Sequence, residues 1–588
     1  MKPRIHLWPS DKKIVQDIQR VVKCTDITAT ILANRGLTKG PELQSFLNAT
    51  LADMADPATL ADMDIAADRL AAAVVKKQKI LVFGDYDADG ITAAAILVNF
   101  LRAAGAEVTC HIPHRIMEGY GLKAEQINRL AAAADVNLVV TVDCGAGSHE
   151  AARACQEAGL DLIITDHHQM TPPYPEALAI VNPARPDCAS GLSVLCGAGV
   201  AFYLLIALRA RLREQGFWNT GRPEPNLKQY CDLVAIGTIA DVVPLTGINR
   251  ILVKAGLQVM NESGRPGLQA LLAAAKIKNG LVTAEDIAFR IAPRLNAAGR
   301  IDHGRTALTL LTSDDPETVQ KTAAQLCRLN TKRQYLEEEI TAEIFQVLRD
   351  QPEFLADRKM LVLAHHQWHQ GVIGIAAAKT VRKHCLPVAL ISIQGEMGIG
   401  SARSVPGLDL YQVLCDCADL LEDFGGHALA AGFKIRTENI ARFEKQLGYA
   451  VGRYSRDADF SPKIPVDCEL TFDAISDHLL DELDQLQPFG ADNPEPFFLA
   501  SNVCVASSFL IKGKYPRMVL TQPAAPGRKI DAISFTLPAG REASGHFKHI
   551  LFRLQRETWN GSGAPRLIIE AVSDEPLPIH QGDPHAPV

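Results

Sequence analysis

The stretch VFGDYDADG, residues 82–90, decides the fold class of this 588-residue chain. In it, an apolar β-rich run ends in three alternating aspartates and a glycine, and a helical pattern, Ile91–Leu101, follows. An EF-hand calcium loop has the same aspartate spacing, but here the twelfth loop position is Ile96 instead of glutamate, and a strand-like run precedes the loop. The stretch therefore predicts a strand–turn–helix unit with carboxylates at the carboxyl end of the strand.

Short β-rich runs alternate with helical patterns around and after this stretch. Such alternation is typical of βαβ units and of a parallel sheet that is buried on both faces. The runs are Ile80–Phe83, Val108–Ile112, Leu138–Val142 and Leu162–Thr165. Because parallel strands present their carboxyl ends at one edge of the sheet, where ligands bind, we expect the residues that follow these runs to converge.

Acidic or imidazole side chains follow three of these runs. A fourth acidic residue lies in the apolar run Leu233–Leu245, which we interpret as a further strand end. The side chains expected to meet are Asp85, Asp87, Asp89, Asp143, His167, His168 and Asp241.

Clustered carboxylates repel one another and resist burial, so they must bind protons or cations. Oxygen ligands suit Mg²⁺ or Mn²⁺, and an imidazole in the set favours Mn²⁺. Two ions about 3.5–4 Å apart would stabilise the attacking and leaving oxygens of a phosphoryl displacement. One acidic turn alone could be a solvated loop, and a lone His-His pair is more often structural. Their coincidence at several strand ends favours a dinuclear metal site.

Changes of residue composition and hydrophobic pattern along the chain predict an α/β multidomain protein. We expect a parallel-sheet domain, a long connector helix, a second smaller α/β domain and a carboxyl-terminal antiparallel β-barrel. The predicted segments are an N-terminal helical segment at 1–66, the parallel-sheet domain at 67–315, the connector helix at 316–357, the second α/β domain at 358–455, the barrel at 462–573 and a loose tail at 574–588.

The composition excludes several classes of protein. Hydrophobic residues make up 47% and charged residues 22% of the chain, as in ordinary globular proteins. No apolar run reaches the roughly 18 residues of a membrane helix, and no amino-terminal signal core is present. The 13 cysteines are scattered without a CxxC pair, which argues against a disulfide framework or a zinc knuckle and predicts free thiols in the cytoplasm. With a net charge of -7, contact with nucleic acid requires local basic patches.

The set of motifs in this chain resembles the DHH phosphoesterase superfamily and, within it, the RecJ family of bacterial single-strand-specific DNA exonucleases. The resemblance runs from about residue 67 to about residue 571. The motifs are GDYDADG (84–90), VDCGAG (142–147), TDHH (165–168), GTIADVVPL (237–245), PRLNAAGR (293–300), WHQGVIGI (368–375), GSARS (400–404), GGHALAAGF (425–433) and PFGADNPEP (488–496). Each motif is weak by itself, whereas the whole set is specific. The resemblance implies that the second α/β domain is the DHH-associated domain and that the barrel is OB-like.

The resemblance also implies a ligand set. Matched motif by motif, the family's metal ligands fall on Asp85, Asp87, Asp89, Asp143, His167 and Asp241. His168 is implied to contact the scissile phosphate, and Asp143, His167, His168 and Asp241 are the expected catalytic residues. The wider superfamily often has histidine at the first motif position, where this chain has Asp85.

An exonuclease that starts at a 5′ end needs a cationic pocket for the terminal phosphate, and arginine binds phosphate oxygens bidentately. A single arginine is more often part of a surface ion pair, an alternative that its place in a matched motif disfavours. The resemblance points to Arg115, Ser401 and Arg403, and to Arg294, Asn296 and Arg300 in a predicted PRLNAAGR loop. In GGH, glycines would let backbone N–H groups approach a phosphate, with His427 as a donor, although the motif could also be a tight turn.

The predicted barrel has its own indication of nucleic-acid binding. Residues 501–570 contain ten Lys or Arg and four Asp or Glu, a net charge of +6, so the rest of the chain carries -13. Its aromatic residues could stack on bases, although core packing is the likelier role for most of them. They are Phe509, Tyr515, Phe535, Phe547 and Trp559. Tyr515, next to Lys514, is the one we expect to be most exposed.

From the resemblance we expect a monomeric cytoplasmic enzyme that degrades single-stranded DNA from its 5′ end to mononucleotides, with two Mn²⁺ or Mg²⁺ ions, in DNA recombination and repair. A single-strand-binding protein and a helicase are expected partners, and no membrane is involved. One alternative is a DHH phosphoesterase acting on short oligonucleotides or cyclic dinucleotides, which would not need a basic barrel. A pyrophosphatase would not need one either. A non-enzymatic replication scaffold should have lost the carboxylates that this chain retains.

Overall fold

The computed structural model of the chain describes residues 4–9, 11–277, 281–356, 358–455, 463–538, 540–541, 545–557, 563–574 and 579–581. The amino-terminal segment contains one strand and three helices. They are β1 (Arg4–Leu7), α1 (Lys12–Val22), α2 (Asp26–Asn34) and α3 (Gly40–Asn48). The strand corrects the expectation of a wholly helical segment. Val15, Ile18 and Leu32 on these helices join the core of the carboxyl-terminal barrel instead of forming one of their own.

The first α/β domain has five strands and eleven α-helices among the described residues. They are α4 (Met63–Val75), β2 (Lys79–Gly84), α5 (Ala88–Ala103), β3 (Glu107–His111), α6 (Ala124–Ala134), β4 (Leu138–Val142), α7 (His149–Glu157), β5 (Asp161–Thr165), β6 (Ala179–Val181), α8 (Gly197–Glu214), α9 (Cys231–Ala240), α10 (Gly247–Ser263), α11 (Pro266–Ala274), α12 (Ala284–Asp286), α13 (Ala292–Ile301) and α14 (Arg305–Thr312). A π-helix, Ile287–Ile291, joins α12 to α13.

The strands form one parallel sheet in the order β3-β2-β4-β5-β6. Successive residues of a strand point to opposite faces, and both faces are covered here. Val82 and Val140 pack with α5 and α8 on one side, whereas Phe83 and Val139 pack with α7 on the other. The prediction of a parallel sheet buried on both faces is confirmed, and the short strand β6 was not predicted.

A single helix, α15 (Pro316–Asp350), connects the two α/β domains, as predicted. Pro316 occupies the first turn, and the Asp315 side chain accepts a hydrogen bond from Thr318 N at 2.9 Å. The second domain follows with α16 (Glu353–Ala356), β7 (Leu361–His365), α17 (Ile373–His384), β8 (Val388–Gln394), β9 (Met397–Arg403), α18 (Leu410–Cys415), β10 (Leu421–His427), β11 (Ala430–Arg436) and α19 (Ile440–Tyr454). Its sheet has the order β10-β11-β9-β8-β7, with β7 and β8 parallel.

The carboxyl-terminal part is a closed barrel preceded by one helix. Its elements are β12 (Lys463–Val466), β13 (Cys468–Glu469), α20 (Asp477–Gln485), β14 (Phe498–Ile511), β15 (Tyr515–Gln522), β16 (Ala525–Ser534), β17 (His546–Arg556), β18 (Pro565–Ser573) and β19 (Ile579–Gln581). Strands β14-β15-β16-β18-β17 close through the β14–β17 pairing. We predicted an antiparallel barrel, and this is wrong for one pair of strands, because β16 and β18 are parallel.

A small parallel sheet, β12-β1-β19, joins the chain's amino-terminal strand to the carboxyl-terminal part. Strand β19 therefore corrects the prediction that everything after residue 574 is a loose tail. None of the helices in the described ranges is long and apolar enough to cross a membrane.

Candidate metal centre and nucleic-acid interface

The turn after β2 presents three aspartates to one edge of the sheet. Asp85 follows the strand and is 4% exposed. Asp87 caps α5, because its Oδ1 accepts a hydrogen bond from Gly90 N at 3.0 Å. Asp89 lies in the first helical turn and is 1% exposed. The strand–turn–helix unit predicted from residues 82–90 thus places all three carboxylates at the carboxyl end of β2.

Helix α8 holds Asp89 from the other side. Gly197 N and Ala198 N, at the start of α8, donate to the two carboxylate oxygens of Asp89 at 2.6 and 2.9 Å. These contacts use backbone N–H groups that a helix start leaves without partners inside the helix, and they favour a negative charge.

Two glycines let helices approach the carboxylates more closely than any other residue could. A Cβ on Gly197 would lie 2.5 Å from Asp143 Oδ1, and a Cβ on Gly237, in α9, would lie 2.4 Å from Asp89 Oδ1. At both positions the helix backbone packs directly against a carboxylate, with no room for a side chain between them. The glycines of the GTIADVVPL segment and of α8 are therefore part of the site's construction.

The ends of β4 and β5 supply the next ligands. Asp143 follows β4 in the left-handed backbone region, with φ +61°, and is 2% exposed. His167 follows β5, and its Nε2 lies 3.1 Å from Asp143 Oδ1, 3.8 Å from Asp89 Oδ2 and 3.7 Å from Asp241 Oδ2. The structure thus brings together groups from three strand ends.

Asp241 reaches the same place by a different route. It caps the carboxyl end of helix α9, so our interpretation of Leu233–Leu245 as a strand end is wrong. Ten apolar-rich residues without polar periodicity fit a buried helix as well as a buried strand, and α9 is buried along most of its length. The side chain nevertheless points into the cluster.

Three overlapping groups of side chains could each hold a cation. They are Asp85, Asp87 and Asp143; Asp89, His167 and Asp241; and Asp143, His167 and His168, with the ligand atoms of each group within 4.8 Å of one another. Three buried polar atoms in this set have no hydrogen-bond partner among the described residues: Asp85 Oδ1, Asp143 Oδ1 and His167 Nε2. Orphaned acceptors that face one another fit a cation between them.

The pKa values of these carboxyl groups also indicate a cation site. Burial, reinforced by the neighbouring carboxylates, raises the pKa values of Asp85 and Asp143 well above the ordinary value. Burial also raises the pKa of Asp89, although His167 opposes the shift. Burial and repulsion from Asp89 and Asp87 raise the pKa of Asp241 to about 8. Arg115 opposes the shift at Asp85, but no lysine or arginine within the described ranges forms an ion pair with these carboxylates, so divalent cations would relieve the repulsion.

The two adjacent histidines have opposite electrostatic properties. Burial lowers the pKa of His167, so its ring is neutral and can donate a lone pair to a metal. Burial alone would also lower the pKa of His168, but its hydrogen bond to Asp166 and the negative charges around it raise that pKa to about 9. His168 is therefore a cation at neutral pH.

Two residues at this site were missed in the sequence. Asp166 is buried, and its carboxylate accepts hydrogen bonds from Ala146 N at 2.8 Å and from the ring of His168 at 2.7 Å. Tyr120 Oη lies 3.2 Å from His168 Nδ1. Asp166 was visible in the TDHH motif, but its role as a support of His168 requires the turn geometry; Tyr120 carried no signal.

Three arginines lie close to one another at the cleft where the two α/β domains meet, and we call them the arginine cluster. Arg115 and Arg300 belong to the first domain, as the carboxylates do, and Arg403 belongs to the second. Burial, with repulsion from Arg115 and Arg403, lowers the pKa of Arg300 to about 9. Burial and Arg115 also lower the pKa of Arg403. Their hydrogen-bond partners are uncharged: Arg300 donates to Gly371 O at 3.3 Å, and Arg403 donates to Ala402 O at 2.7 Å. Such a set of mutually repelling cations is suited to an anion with several oxygens.

The remaining predicted phosphate residues divide into two groups. Ser401 Oγ accepts from Arg403 at 3.1 Å, and the ring of His427 stacks on that of His168, so both belong to the cleft. PRLNAAGR is helix α13 and not a loop, since its proline occupies the first turn. There, Asn296 Oδ1 accepts from Ala88 N at 2.9 Å and so braces the acidic turn, while Arg294 donates to Arg290 O at 2.5 Å. His427 lies on strand β10, so GGH is not a turn either.

The barrel is less basic at its surface than its composition predicted. Five of its arginines form ion pairs with carboxylates: Arg517 with Asp531, Arg541 with Asp574, Arg553 with Glu495, Arg556 with Asp484 and Arg566 with Asp531. Three of these carboxylates, Asp574, Glu495 and Asp484, lie outside residues 501–570. The +6 of this segment thus overstates the positive charge available to a polyanion.

The exposed aromatic residues of the barrel also differ from those expected. Phe509 and Phe535 are 56% and 58% exposed, whereas Tyr515 is half-buried and packs edge-on against Phe535. Lys514 lies over the ring of Tyr515 at 5.1 Å. Phe547 is a core residue, and Trp559 lies outside the described residues. Phe509 and Tyr515 lie on the paired strands β14 and β15, and Phe535 follows strand β16; we call these three residues, with Lys514, the aromatic face of the barrel.

Comparison with known proteins matches all three parts of the chain. The profile of the DHH family N-terminal domain matches residues 79–238, that of the DHHA1 domain residues 357–452 and that of the RecJ OB domain residues 466–571. The fold predicted from the sequence, including its OB-like barrel, is confirmed.

Individual relatives extend over nearly the whole chain. The single-stranded-DNA-specific exonuclease RecJ of Bacillus subtilis is 33% identical over 97% of this chain and 71% of its own length. RecJ of Dickeya dadantii is 35% identical over 92% of this chain and 94% of its own. The crystal structure of Thermus thermophilus RecJ in complex with Mn²⁺ superposes with a TM-score of 0.80 at 30% identity, covering 99% of this chain and 81% of that one. Because relatives above 30% identity and three family profiles together cover nearly the whole chain, the chain belongs to the RecJ family of DHH proteins.

Proposed function

We propose that this protein is a 5′→3′ exonuclease that degrades single-stranded DNA to mononucleotides, with two divalent cations, Mn²⁺ or Mg²⁺. One observation carries the proposal: among the described residues, buried carboxylates that form no ion pair with lysine or arginine lie near a cluster of arginines that form no ion pair with aspartate or glutamate. A phosphodiester and two divalent cations would balance both sets of charges. The relatives named as single-stranded-DNA-specific exonucleases, and the RecJ structure with Mn²⁺, support this assignment.

We assign one cation to Asp85, Asp87 and Asp143 and the other to Asp89, His167 and Asp241. Asp143 Oδ1 lies 3.1 Å from His167 Nε2, so Asp143 can contribute to both sites. When bound, two such ions lower the pKa of an attacking water and offset the charge that develops on the leaving oxygen. The neutral ring of His167 and the backbone hydrogen bonds that hold the buried Asp89 favour tight binding of these ions.

The chain's own contribution to the chemistry starts with His168. Its imidazolium, held by Asp166, can donate a hydrogen bond to an oxygen of the scissile phosphate and stabilise the extra negative charge of the transition state. His427, stacked on it from the opposite domain, is placed to donate to the same phosphate. Because each ring is fixed by a neighbour, little reorganisation is needed when the strand enters.

We assign the recognition of the 5′ end, which the resemblance to the RecJ family implies, to the arginine cluster. Arg115, Arg300 and Arg403, with the Ser401 hydroxyl, can hold a terminal 5′-phosphate, which carries more charge than an internal one. Docking of that group places the next phosphodiester toward the carboxylates, so one nucleotide is released per cut. A strand that ends in a 5′-hydroxyl has no terminal phosphate to place in this pocket and should bind more weakly.

The aromatic face of the barrel is proposed to guide the rest of the strand by stacking on its bases. An enzyme for short oligonucleotides or cyclic dinucleotides has no use for such a face, so we do not favour that alternative. We further propose a role in DNA recombination and repair in the cytoplasm, with a single-strand-binding protein and a helicase as partners of a monomer. All thirteen cysteines are free thiols, which supports a reducing compartment.

The decisive experiment follows single-stranded DNA labelled at its 5′ or 3′ end, with Mn²⁺, Mg²⁺ or EDTA. We expect labelled mononucleotide to appear at once from the 5′-labelled strand and only late from the 3′-labelled one. The Asp143→Asn variant should bind the strand without cutting it. Release of the 3′ label first, or full turnover by the variant, would contradict the proposal.

A further inference from the structure

Asn249, in the first turn of helix α10, bridges two segments of main chain next to the metal centre. Its side chain is completely buried. Its Nδ2 donates to Val194 O at 2.6 Å and to Pro244 O at 3.0 Å. Because both partners are carbonyls, only the amide nitrogen can face them, and each of its two hydrogens is used.

Each end of this bridge lies three residues from a group of the metal centre. Pro244 follows Asp241 by three residues, and Val194 precedes Gly197 by three residues. Gly197 N in turn donates to Asp89 Oδ2 at 2.6 Å. One side-chain amide therefore connects the backbone that supports Asp89 with the backbone that carries Asp241.

The segment between Asp241 and Pro244 needs such a restraint. Val242 has φ +59°, a left-handed conformation that β-branched residues rarely adopt, and its side chain is 71% exposed. Packing of the Val242 side chain therefore does little to hold the strained turn, so contacts of the residues that follow it must do so. Asn249 supplies one of them at Pro244, and Leu245 N supplies another by donating to Ala491 O at 2.8 Å.

Asn249 can hold these two segments at a constant distance only if helix α10 is itself held in place. The next residue, Arg250, holds it. This side chain is 2% exposed, and its three nitrogens donate to Phe46 O, Leu486 O and Gln485 O at 2.8 to 2.9 Å. These carbonyls lie at the ends of α3 and α20, where helix dipoles favour a cation. The first turn of α10 is thus fastened to the amino-terminal helices and to the barrel.

We propose that Asn249 is a positioning residue of the metal centre. It holds the main chain of Asp241 at a set distance from the α8 start that fixes Asp89, so that both carboxylates face His167. The inference rests on the proposed cation site but concerns a residue that touches neither cation nor substrate. Loss of the bridge should loosen Asp241 and weaken cation binding, without altering the arginine cluster or the barrel.

The test compares Asn249→Ala and Asn249→Asp with Asn261→Ala. Asn249→Asp keeps the side-chain shape but, when ionised, has no hydrogens to donate. Asn261 is a matched control on the same helix, because its Nδ2 also bridges two carbonyls, Leu257 O at 2.8 Å and Val282 O at 3.1 Å. It lies twelve residues further along α10, roughly 18 Å away. Mn²⁺ binding to the metal-free proteins is measured by electron paramagnetic resonance, and single-stranded DNA binding is measured in EDTA.

We expect both Asn249 variants to bind Mn²⁺ about tenfold more weakly than the wild type, as for other residues that support metal ligands indirectly. Their DNA affinity in EDTA should be unchanged, and their cleavage rate should recover at high Mn²⁺. Asn261→Ala should bind Mn²⁺ as the wild type does. Wild-type Mn²⁺ affinity in Asn249→Asp, or an equal loss in Asn261→Ala, would overturn the inference. A wild-type protein that binds Mn²⁺ but leaves DNA intact would instead refute the exonuclease function, and the Mn²⁺ affinities would still decide the role of Asn249.

Discussion

The imidazole rings of His168 and His427 stack across the cleft between the two α/β domains, with their centroids 6.1 Å apart and their planes 12° from parallel. His168 belongs to the acidic edge of the first sheet, and His427 ends strand β10 of the second. The contact therefore joins the acidic edge of the first sheet to the second α/β domain. Both rings border the space in which a scissile phosphate would lie.

Replacement of His427 by alanine should slow cleavage without affecting the cations. Burial and the neighbouring positive charge of His168 lower the pKa of His427, so the ring is neutral at neutral pH and can still donate one N–H. Removal of one donor to a transition-state oxygen costs roughly 100-fold in kcat. His427→Asn should restore part of the rate, and Mn²⁺ binding should match the wild type. A variant with the wild-type rate would show that His427 does not contact the reacting phosphate.

Arg403 is expected to discriminate between phosphorylated and unphosphorylated 5′ ends. The wild type should prefer a 5′-phosphate, and Arg403→Ala should lose most of that preference, because a bidentate charged contact contributes about 1.5–3 kcal/mol. Arg436→Ala is the control, since Arg436 lies on the adjacent strand β11 and pairs with Glu422 at 2.6 Å. The measurement is kcat/KM on two matched strands that differ only in the 5′ group. Equal preference in the wild type and in Arg403→Ala would contradict the pocket.

Gly237→Ala should damage the cation site by steric conflict alone. Its Cβ would lie 2.4 Å from Asp89 Oδ1 and 2.6 Å from the Cβ of Ala198, both in the buried heart of the domain. Over-packing of this kind costs about 1–3 kcal/mol of stability and should displace Asp89. Thermal unfolding and Mn²⁺ binding measure the two effects. Gly448→Ala, in helix α19 with open space around the site, should instead be neutral or slightly stabilising.

The parts of the site that follow strand ends could be predicted from sequence, because parallel strands impose a common edge whatever the details of packing. Asp143 and His167 are such cases: each directly follows a short apolar run, and the two meet at 3.1 Å. Asp241 shows the limit of the method. Its apolar surroundings fit a buried helix and a buried strand equally well, and only the tertiary structure decides between them.

Charge was harder to predict than fold, because ion pairs join residues that are distant in sequence. Arg553 pairs with Glu495, and Arg556 pairs with Asp484, so the net charge of the barrel segment does not describe its surface. Residues that hold the metal ligands in place could not be predicted from the sequence for the same reason. Asn249 bridges Val194 and Pro244, and nothing in its local sequence marks it as different from Asn261.

The stability of the metal-free protein should fall as the pH rises. The pKa of Asp241 is about 8 in the folded protein, against an ordinary value of 3.8. Between these two pH values the folded protein holds a proton that the unfolded chain has released. The stabilisation from that proton falls as the pH rises and is lost above about pH 8. His168 acts in the same direction, because its pKa is raised to about 9 and its contribution is lost as the pH rises through that value. In EDTA, Tm should therefore decrease between about pH 6 and about pH 9.

Asp241→Asn separates these two contributions. It removes one titrating group, so the decrease of Tm with pH should become shallower but should not disappear. For the wild type, Mn²⁺ affinity should rise over the same pH range, because the cation competes with the proton on Asp241. A Tm in EDTA that increases with pH would contradict the proposed protonation of the cluster.

The aromatic face of the barrel should contribute affinity for long strands and nothing to the chemistry. Stacking of one base on an aromatic ring is worth about 1–3 kcal/mol, so Phe509→Ala combined with Phe535→Ala should weaken binding of a long single strand by roughly 100-fold or more. Tyr449→Ala is the control, because that ring is 82% exposed on helix α19, outside the barrel. Degradation of a 5′-phosphorylated dinucleotide, which is too short to reach the barrel, should be the same in all three proteins. If the double variant lost dinucleotide cleavage as well, the two phenylalanines would belong to the active site or its scaffold; if it kept full affinity for long strands, the strand would follow another surface of the protein.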